Sequence, residues 1–94
     1  MTIDDLKRKT ATRVLEDSGV TSVFYHDTAV VQFNNNVVEL DTGEFLTKTT
    51  KARMNQVSEV FGLGFEVFQR NFEWFVKTPH GVFEFEDNFF KFAR

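Results

Sequence analysis

The segment from Thr47 to Arg53 reads Thr-Lys-Thr-Thr-Lys-Ala-Arg and lies at the start of a predicted helix. A helix N-terminus leaves up to about four backbone amides unpaired and carries about half a positive charge, so cations are unfavourable there. Unpaired amides, hydroxyl groups and flexible cations together are the groups that bind phosphate or carboxylate. The segment therefore predicts an anion-binding site. Its candidate residues are Thr47, Lys48, Thr49, Thr50, Lys51 and Arg53.

Within this predicted site, Thr50 and the amides of the first turn are the expected donors, and Lys48 and Lys51 are the mobile charges. Two other interpretations of the same segment stay open. In one, Asp41 and Glu44 neutralise the cations across the preceding turn. In the other, Arg53 packs inward and donates hydrogen bonds to carbonyl groups of a strand.

Few other residues in the sequence could perform chemistry. The chain has no cysteine, which excludes thiolate catalysis, disulfides and cysteine-ligated zinc. Its two histidines are His26, which precedes Asp27 at a predicted strand end, and His80, which lies in a predicted turn. No nucleophile and base, and no set of metal ligands, can be assembled from this spacing. We therefore expect no enzymatic activity, no catalytic residues, no metal and no cofactor.

Aromatic residues are unusually frequent, with 13 Phe, one Trp and one Tyr in 94 residues. One small core cannot enclose all of them. Side-chain alternation along a predicted strand places Phe72, Trp74 and Val76 together on a buried face. Exposed apolar patches usually mark interfaces, so we expect either a surface for another protein or self-association into a homo-oligomer. The candidate partner-binding residues are Phe68, Phe75, Phe89 and Phe90.

The charge of the chain makes nucleic-acid binding the second hypothesis. The net charge is −3 and the pI is about 5.3, whereas nucleic-acid-binding domains are usually basic. A basic patch with nearby aromatic rings does bind single-stranded nucleic acid, but Glu66, Glu73 and Glu84 lie between the rings here and would repel phosphates. The sequence contains neither a signal-peptide pattern nor an apolar run of about 18 residues, so no membrane association is expected.

The chain is expected to form one α+β domain over residues 1–94, with the order α-βββ-α-βββ and mainly antiparallel strands. A capping box of Thr2 and Asp5 predicts a first helix over residues 3–18, which Gly19 ends. The hydrophobic period then changes to two, which predicts a β-meander. The strands of this meander are expected over 20–25, 29–33 and 37–40, with a turn at Asn34-Asn35-Asn36.

The second half is expected to repeat this arrangement. After a turn at 41–43, residues 44–46 are expected to add a short strand. The second helix is predicted over 51–61, with Thr49 or Thr50 as its N-cap and Gly62 as its end. Further strands are expected over 65–69, 71–76 and 81–85, and residues 88–92 form either an edge strand or a tail that packs by its rings.

The central part of the chain, residues 28–76, resembles a group of small uncharacterised proteins encoded by tailed bacteriophages. The specific part is a Thr-x-Thr-Thr-x-x-Arg-x-Asn run, preceded by Leu-x-x-Gly and followed by an aromatic hairpin. This chain departs from the pattern at Glu44-Phe45, where a Gly followed by Trp is expected. The matching residues are Leu40, Gly43, Thr47, Thr49, Thr50, Arg53, Asn55, Val67, Gln69, Trp74 and Val76.

The resemblance implies a phage origin and action inside the host cell, and it supplies no catalytic residues. Together with the aromatic content, it leads to the first hypothesis for function. This hypothesis is a non-catalytic, phage-encoded protein that binds a host or phage protein in the host cytoplasm. The second hypothesis is a nucleic-acid or phosphate binder that uses the start of the second helix.

Overall fold

A computed structural model describes residues 1–94 and shows an α+β fold with two helices and eight antiparallel strands. The predicted fold class is confirmed, as is the order in which a helix precedes each meander. The helices are α1 (Ile3–Lys7) and α2 (Lys48–Phe61). The strands are β1 (Thr12–Asp17), β2 (Val20–Tyr25), β3 (Thr28–Phe33), β4 (Val37–Asp41), β5 (Glu66–Arg70), β6 (Glu73–Thr78), β7 (Gly81–Glu84) and β8 (Phe89–Ala93).

The strands form two sheets, and α2 contacts both of them. The larger sheet has the order β1-β2-β3-β4-β8, and the smaller sheet has the order β5-β6-β7. The last strand, β8, leaves the second meander and pairs with β4, so the segment 88–92 forms an edge strand rather than a tail. The helix α2 packs against β2 and β3 on one side and against β5 on the other. The core therefore lies between α2 and the inner faces of the two sheets.

The predicted first helix is wrong beyond Lys7. Residues Thr12–Asp17 form β1, which pairs with β2 in continuous register from Thr12 with Tyr25 to Asp17 with Val20. The turn between them consists of Ser18 and Gly19, whose φ angles are 52° and 82°. Two consecutive residues at positive φ match the twist of a hairpin, so Gly19 serves this turn and ends no helix. Pairing with β2 thus overrides the helical spacing of the apolar residues.

The connection before α2 also differs from its prediction. Residues 44–46 are not a strand, because Glu44 has a φ of 68° and Phe45 N–H donates to the Thr42 carbonyl. The helix begins at Lys48, and its N-cap is Thr47 rather than Thr49 or Thr50. A positive φ at position 44 is the conformation that glycine adopts without strain, which explains why glycine is expected there.

Side chains of α2 cover the outer edge of β5. Asn55 Nδ2 donates to the Val67 carbonyl at 2.9 Å, and Val67 N–H donates back to Asn55 Oδ1 at 2.7 Å. Ser58 Oγ makes a similar pair of hydrogen bonds with the backbone of Phe65, which leads into β5. These two side chains replace a neighbouring strand, and they close an edge that would otherwise expose unpaired backbone groups.

Two glycines with the same backbone conformation differ in the space around them, and this difference gives a test of the packing at the turn 41–43. Gly43 and Gly62 have φ angles of 61° and 63°, but only at Gly43 would a Cβ overlap Thr28, with 2.8 Å to its Cγ2. Gly62→Ala should therefore lower the free energy of unfolding by about 1–2 kcal/mol through backbone strain alone. Gly43→Ala should cost about 1–3 kcal/mol more because of the overlap. Urea unfolding of both variants measures the difference, and equal losses would contradict the overlap.

Candidate binding surface at one end of the fold

Three connections of the chain lie at the same end of the fold. They are the loop at 42–47 before α2, the β5–β6 turn at 71–72 and the turn at 87–88 that leads into β8. Thr42 N–H donates to the Asn88 carbonyl at 2.9 Å, which joins the first connection to the third. The end of β7 lies beside the start of β6, which places the second connection next to the third. We call these three connections and the first residue of β8 the loop end.

The loop end exposes large apolar side chains. Phe72 is 93% exposed, Phe45 56%, Leu46 54% and Phe89 43%. Single exposed apolar residues are normal on protein surfaces, whereas several on neighbouring connections make this end of the fold a candidate contact surface for another protein. The loop end is therefore the strongest candidate for a binding surface in this protein.

Phe72 is the residue whose observed exposure differs most from the prediction for the core. The sequence pattern places it on the buried face with Trp74 and Val76, and those two residues are indeed buried. Phe72 instead lies with Asn71 in the turn, where their φ angles are 69° and 51°. A bulky residue at positive φ is strained, and such strain is found preferentially at functional sites.

The four predicted partner-binding phenylalanines do not form one surface. Phe68 and Phe75 stack with ring centroids 5.7 Å apart and alternate with the buried residues of their strands, so they lie on the outer face of the smaller sheet. Phe89 is exposed on β8, and Phe90 points inward, where it stacks on Phe83 at 5.5 Å. Of the predicted pair Phe89 and Phe90, only Phe89 is exposed, and the prediction did not include Phe45, Leu46 and Phe72, which lie in connections.

Two of the three threonine hydroxyl groups of the predicted anion site contact each other. Thr47 Oγ1 accepts a hydrogen bond from Thr50 N–H at 3.1 Å, and the two hydroxyl oxygens are 3.0 Å apart. Thr50 is fully buried, whereas Lys48 and Thr49 are exposed. The first turn contains no acidic residue, and the amides of Lys48 and Thr49 donate no hydrogen bond within the protein. Anion binding here remains a prediction. The groups still free to take part in it are mainly those of Lys48 and Thr49.

The other two cations of this site make contacts inside the fold. Lys51 Nζ donates to Gln69 Oε1 at 3.1 Å and lies 5.7 Å from the centre of the Trp74 ring. The Arg53 side chain is buried, with its guanidinium 5.4 Å from the Tyr25 ring centre, and its Nη1 donates to Gln56. Burial lowers the pKa of the Arg53 guanidinium below its ordinary value. Its Nε has no hydrogen-bond partner.

The alternative in which acids neutralise these cations is not observed. The protein has two ion pairs, between Asp5 and Arg8 and between Glu39 and Lys91. Asp41 instead accepts a hydrogen bond from Gly43 N–H at 2.8 Å within the turn. Arg53 does pack inward, as the second alternative expects. Its guanidinium donates to the side chain of Gln56, however, and not to a strand carbonyl.

Residues of the Thr-x-Thr-Thr-x-x-Arg-x-Asn run have structural roles. Thr47 caps α2, Thr50 contacts this cap, Arg53 packs on Tyr25, and Asn55 pairs with the backbone of β5. The run thus connects α2 to both sheets and holds the loop that presents the exposed side chains at 45 and 46.

The remaining candidates for chemistry are separate contacts. The His26 ring lies 4.5 Å from the Tyr25 ring, and His80 Nε2 lies 2.7 Å from the Ala93 carbonyl oxygen. No three His, Asp or Glu side chains converge on a common point that could hold a metal ion. Neither helix is long and apolar enough to cross a membrane.

Comparison with known proteins identifies the family of the chain. Comparisons with curated proteins and with solved structures found no match. The family model described as Kyanoviridae Gp96 protein matches residues 3–92, which include both helices and the whole Thr-x-Thr-Thr-x-x-Arg-x-Asn run. The resemblance to a phage protein family is therefore confirmed. Since the match covers most of the chain, this protein belongs to the Kyanoviridae Gp96 family, a phage protein family of unknown function.

Proposed function

We propose that this phage protein is a non-catalytic binding protein that attaches to a host or phage protein through the loop end, in the host cytoplasm. The observation that carries the proposal is the set of large apolar side chains exposed on neighbouring connections. Burying a Phe or Leu side chain contributes about 1.5–3 kcal/mol, so a partner that covers several of them gains enough to form a stable complex. Aromatic residues are also enriched among the side chains that dominate binding energy.

The positive φ of Phe72 is expected to lower the stability of the free protein. Phe72→Gly should raise the free energy of unfolding by about 0.5–1 kcal/mol, because glycine adopts positive φ without strain and the exposed ring makes little packing. Phe72→Ala keeps the unfavourable φ and is the control, with a change within about 0.5 kcal/mol. Urea unfolding measures both. A loss above 1 kcal/mol for Phe72→Gly would mean that the ring packs on the protein and is no free anchor.

Affinity capture from a lysate of the phage host, and from infected cells, tests the proposed function. The parent protein is expected to retain a specific partner, and Phe72→Ser with Phe45→Ser should abolish that retention. Leu15→Ser is the matched control, because Leu15 is 50% exposed on β1 and lies outside the loop end. The proposal is wrong if the double variant retains the same partner as the parent, or if the control loses it equally.

The alternative function is phosphate or nucleic-acid binding at the start of α2. The observation that favours it is the first turn itself, which carries Lys48 and Lys51 but no acid. If this function holds, phosphate or single-stranded nucleic acid should raise the melting temperature of the parent, and the effect should fall steeply between low and moderate salt.

The variant Lys48→Gln with Lys51→Gln tests this alternative. We expect it to remove any phosphate-dependent stabilisation while lowering the free energy of unfolding by no more than about 1 kcal/mol in anion-free buffer, through the lost contacts of Lys51 with Gln69 and Trp74. Thermal melting with and without phosphate measures both quantities. An equal effect of phosphate on the melting of parent and variant, including no effect on either, would end the alternative.

A further inference from the structure

The strands β7 and β8 begin a hairpin that does not continue. Glu86 N–H donates to the Phe89 carbonyl at 3.3 Å, and Phe89 N–H donates to the Glu86 carbonyl at 2.9 Å, across the turn at 87–88. In a regular antiparallel hairpin, the next hydrogen-bonded pair would be Glu84 with Lys91, two residues further along each strand. No such pair forms, because β7 continues into the smaller sheet and β8 into the larger one.

This separation leaves the outer edge of β7 without backbone partners. Phe85 N–H donates to the Trp74 carbonyl, so the alternate residues Val82 and Glu84 direct their N–H and C=O groups away from β6. Neither residue forms another backbone hydrogen bond outside the strand ladders.

The opposite edge of the same sheet is covered by α2 side chains, whereas the outer edge of β7 faces β8 across a gap without backbone pairing. The gap is closed at one end by the Glu86–Phe89 pair and bridged at the other by His80, whose Nε2 lies 2.7 Å from the Ala93 carbonyl oxygen. An unpaired strand edge is a template for an added strand.

A cleft of about 650 Å³ lies between the end of β7 and the start of β8. Phe83 and Phe90 stack at 5.5 Å and form its apolar wall, and Phe89 lies at its rim. Phe83 and Phe89 are each more than two-fifths exposed, so apolar surface remains for a ligand. The unpaired strand edge and the apolar surface are therefore adjacent.

The remaining lining of the cleft is acidic. Glu84, Glu86 and Asp87 are exposed, and none of them forms an ion pair. The one cation in the lining, Lys91, is paired with Glu39 at 3.8 Å. A segment bound here would therefore meet three uncompensated carboxylates, which favours lysine or arginine side chains in the ligand.

We propose that the outer edge of β7 binds an extended, basic segment of the partner protein as an added strand of the smaller sheet. Its backbone pairs with Val82 and Glu84, an apolar side chain packs on Phe83 and Phe89, and its cations lie beside the three carboxylates. The inference rests on the proposed function and names the chemistry of its partner. A second copy of this chain fits less well, because symmetric pairing of two β7 edges would bring like carboxylates together.

The probe is a synthetic peptide of alternating lysine and valine, about seven residues long to span the edge. Calorimetry at low salt should detect its binding, and hydrogen exchange should show new protection of the Val82 and Glu84 amides. Methylation of every backbone nitrogen of the peptide should weaken binding at least about tenfold, because strand pairing loses its donors. Replacing every lysine by glutamate should abolish binding. No binding of the lysine peptide, or equal binding of the methylated or glutamate peptide, overturns the inference.

Variants of the protein test the same contacts. Val82→Pro removes only an N–H that faces away from β6, so the ladder is retained, and it should weaken peptide binding about tenfold relative to Val82→Ala. The triple change Glu84→Gln, Glu86→Gln and Asp87→Asn should weaken binding about tenfold and reduce its salt dependence. Unchanged affinity in either variant overturns the inference. The peptide comparisons on the parent protein decide the outcome if Val82→Pro does not fold.

The two proposals fail in different ways. If the Phe72 and Phe45 variants lose the captured partner while Val82→Pro retains it, the loop end binds a partner without strand addition, and only the present inference is wrong. If the phenylalanine variants and Val82→Pro all retain the partner, the proposed function and the strand addition are both wrong. Self-association that Val82→Pro abolishes, detected by sedimentation, would identify a second copy as the occupant and would overturn the basic segment.

Discussion

Replacement of Trp74 by alanine is expected to lower the free energy of unfolding by about 3–5 kcal/mol, a large part of the roughly 5–15 kcal/mol of a small domain. The indole is 5% exposed on β6, where it packs edge to face on Phe85 with centroids 6.1 Å apart. Lys51 lies over the same ring, so the substitution also removes a contact between α2 and the smaller sheet. Urea unfolding followed by circular dichroism measures the loss.

A second variant separates packing from polarity at this position. The Nε1 of Trp74 is buried without a hydrogen-bond partner, and such a group costs about 1–3 kcal/mol of stability. Trp74→Phe removes this group together with part of the ring, so the two effects offset and the net loss should stay near 1 kcal/mol. A Trp74→Ala protein that melts within a few degrees of the parent would contradict the burial of this side chain.

Replacement of Asn55 by alanine is expected to lower the free energy of unfolding by about 2–4 kcal/mol. Asn55 is the only group that satisfies both the N–H and the C=O of Val67 on the outer edge of β5. Alanine leaves both backbone groups of Val67, a residue that is 2% exposed, without a protein partner. Chemical denaturation measures the loss, and hydrogen exchange at the Val67 amide should accelerate in parallel.

Two controls accompany the Asn55 prediction. Asn55→Asp keeps the acceptor for Val67 N–H but loses the donor to the Val67 carbonyl, so its loss should be intermediate at neutral pH. Asn36→Ala changes an exposed asparagine in the β3–β4 turn and should alter stability by less than about 0.5 kcal/mol. Equal effects of Asn55→Ala and Asn36→Ala would show that the hydrogen bonds to β5 contribute nothing.

Local chemistry determined much of the fold. The turn at Asn34 is readable from sequence, because its side chain accepts from the amides of Asn36 and Val37 and needs no distant partner. Gly62 ends α2 in the left-handed conformation for the same local reason. The alternation around Trp74 and Val76 identified two core residues, and the phage family was recognisable from the threonine-rich run.

The candidate site was predicted only in part. Phe89 was expected to be exposed and is exposed, but Phe72 was assigned to the core by an alternation that stops at Glu73, where β6 begins. Positive φ at Asn71 and Phe72 makes a tight turn, and only pairing of β5 with β6 in the observed register places the turn there. A single-sequence pattern cannot distinguish the last residue of such a turn from the first residue of the strand.

The sequence by itself determined the α+β class, the alternation of helix and meander and the end of α2 at Gly62, because these depend on contacts within a few residues. The tertiary structure decided that residues 12–17 pair with β2 instead of continuing α1, and that β8 joins β4 in the larger sheet. It also decided that Thr50 and Arg53 are buried while Phe72 is exposed. These outcomes depend on which strands and helices meet across the core, and the energies of those long-range contacts exceed the local preferences of the residues involved.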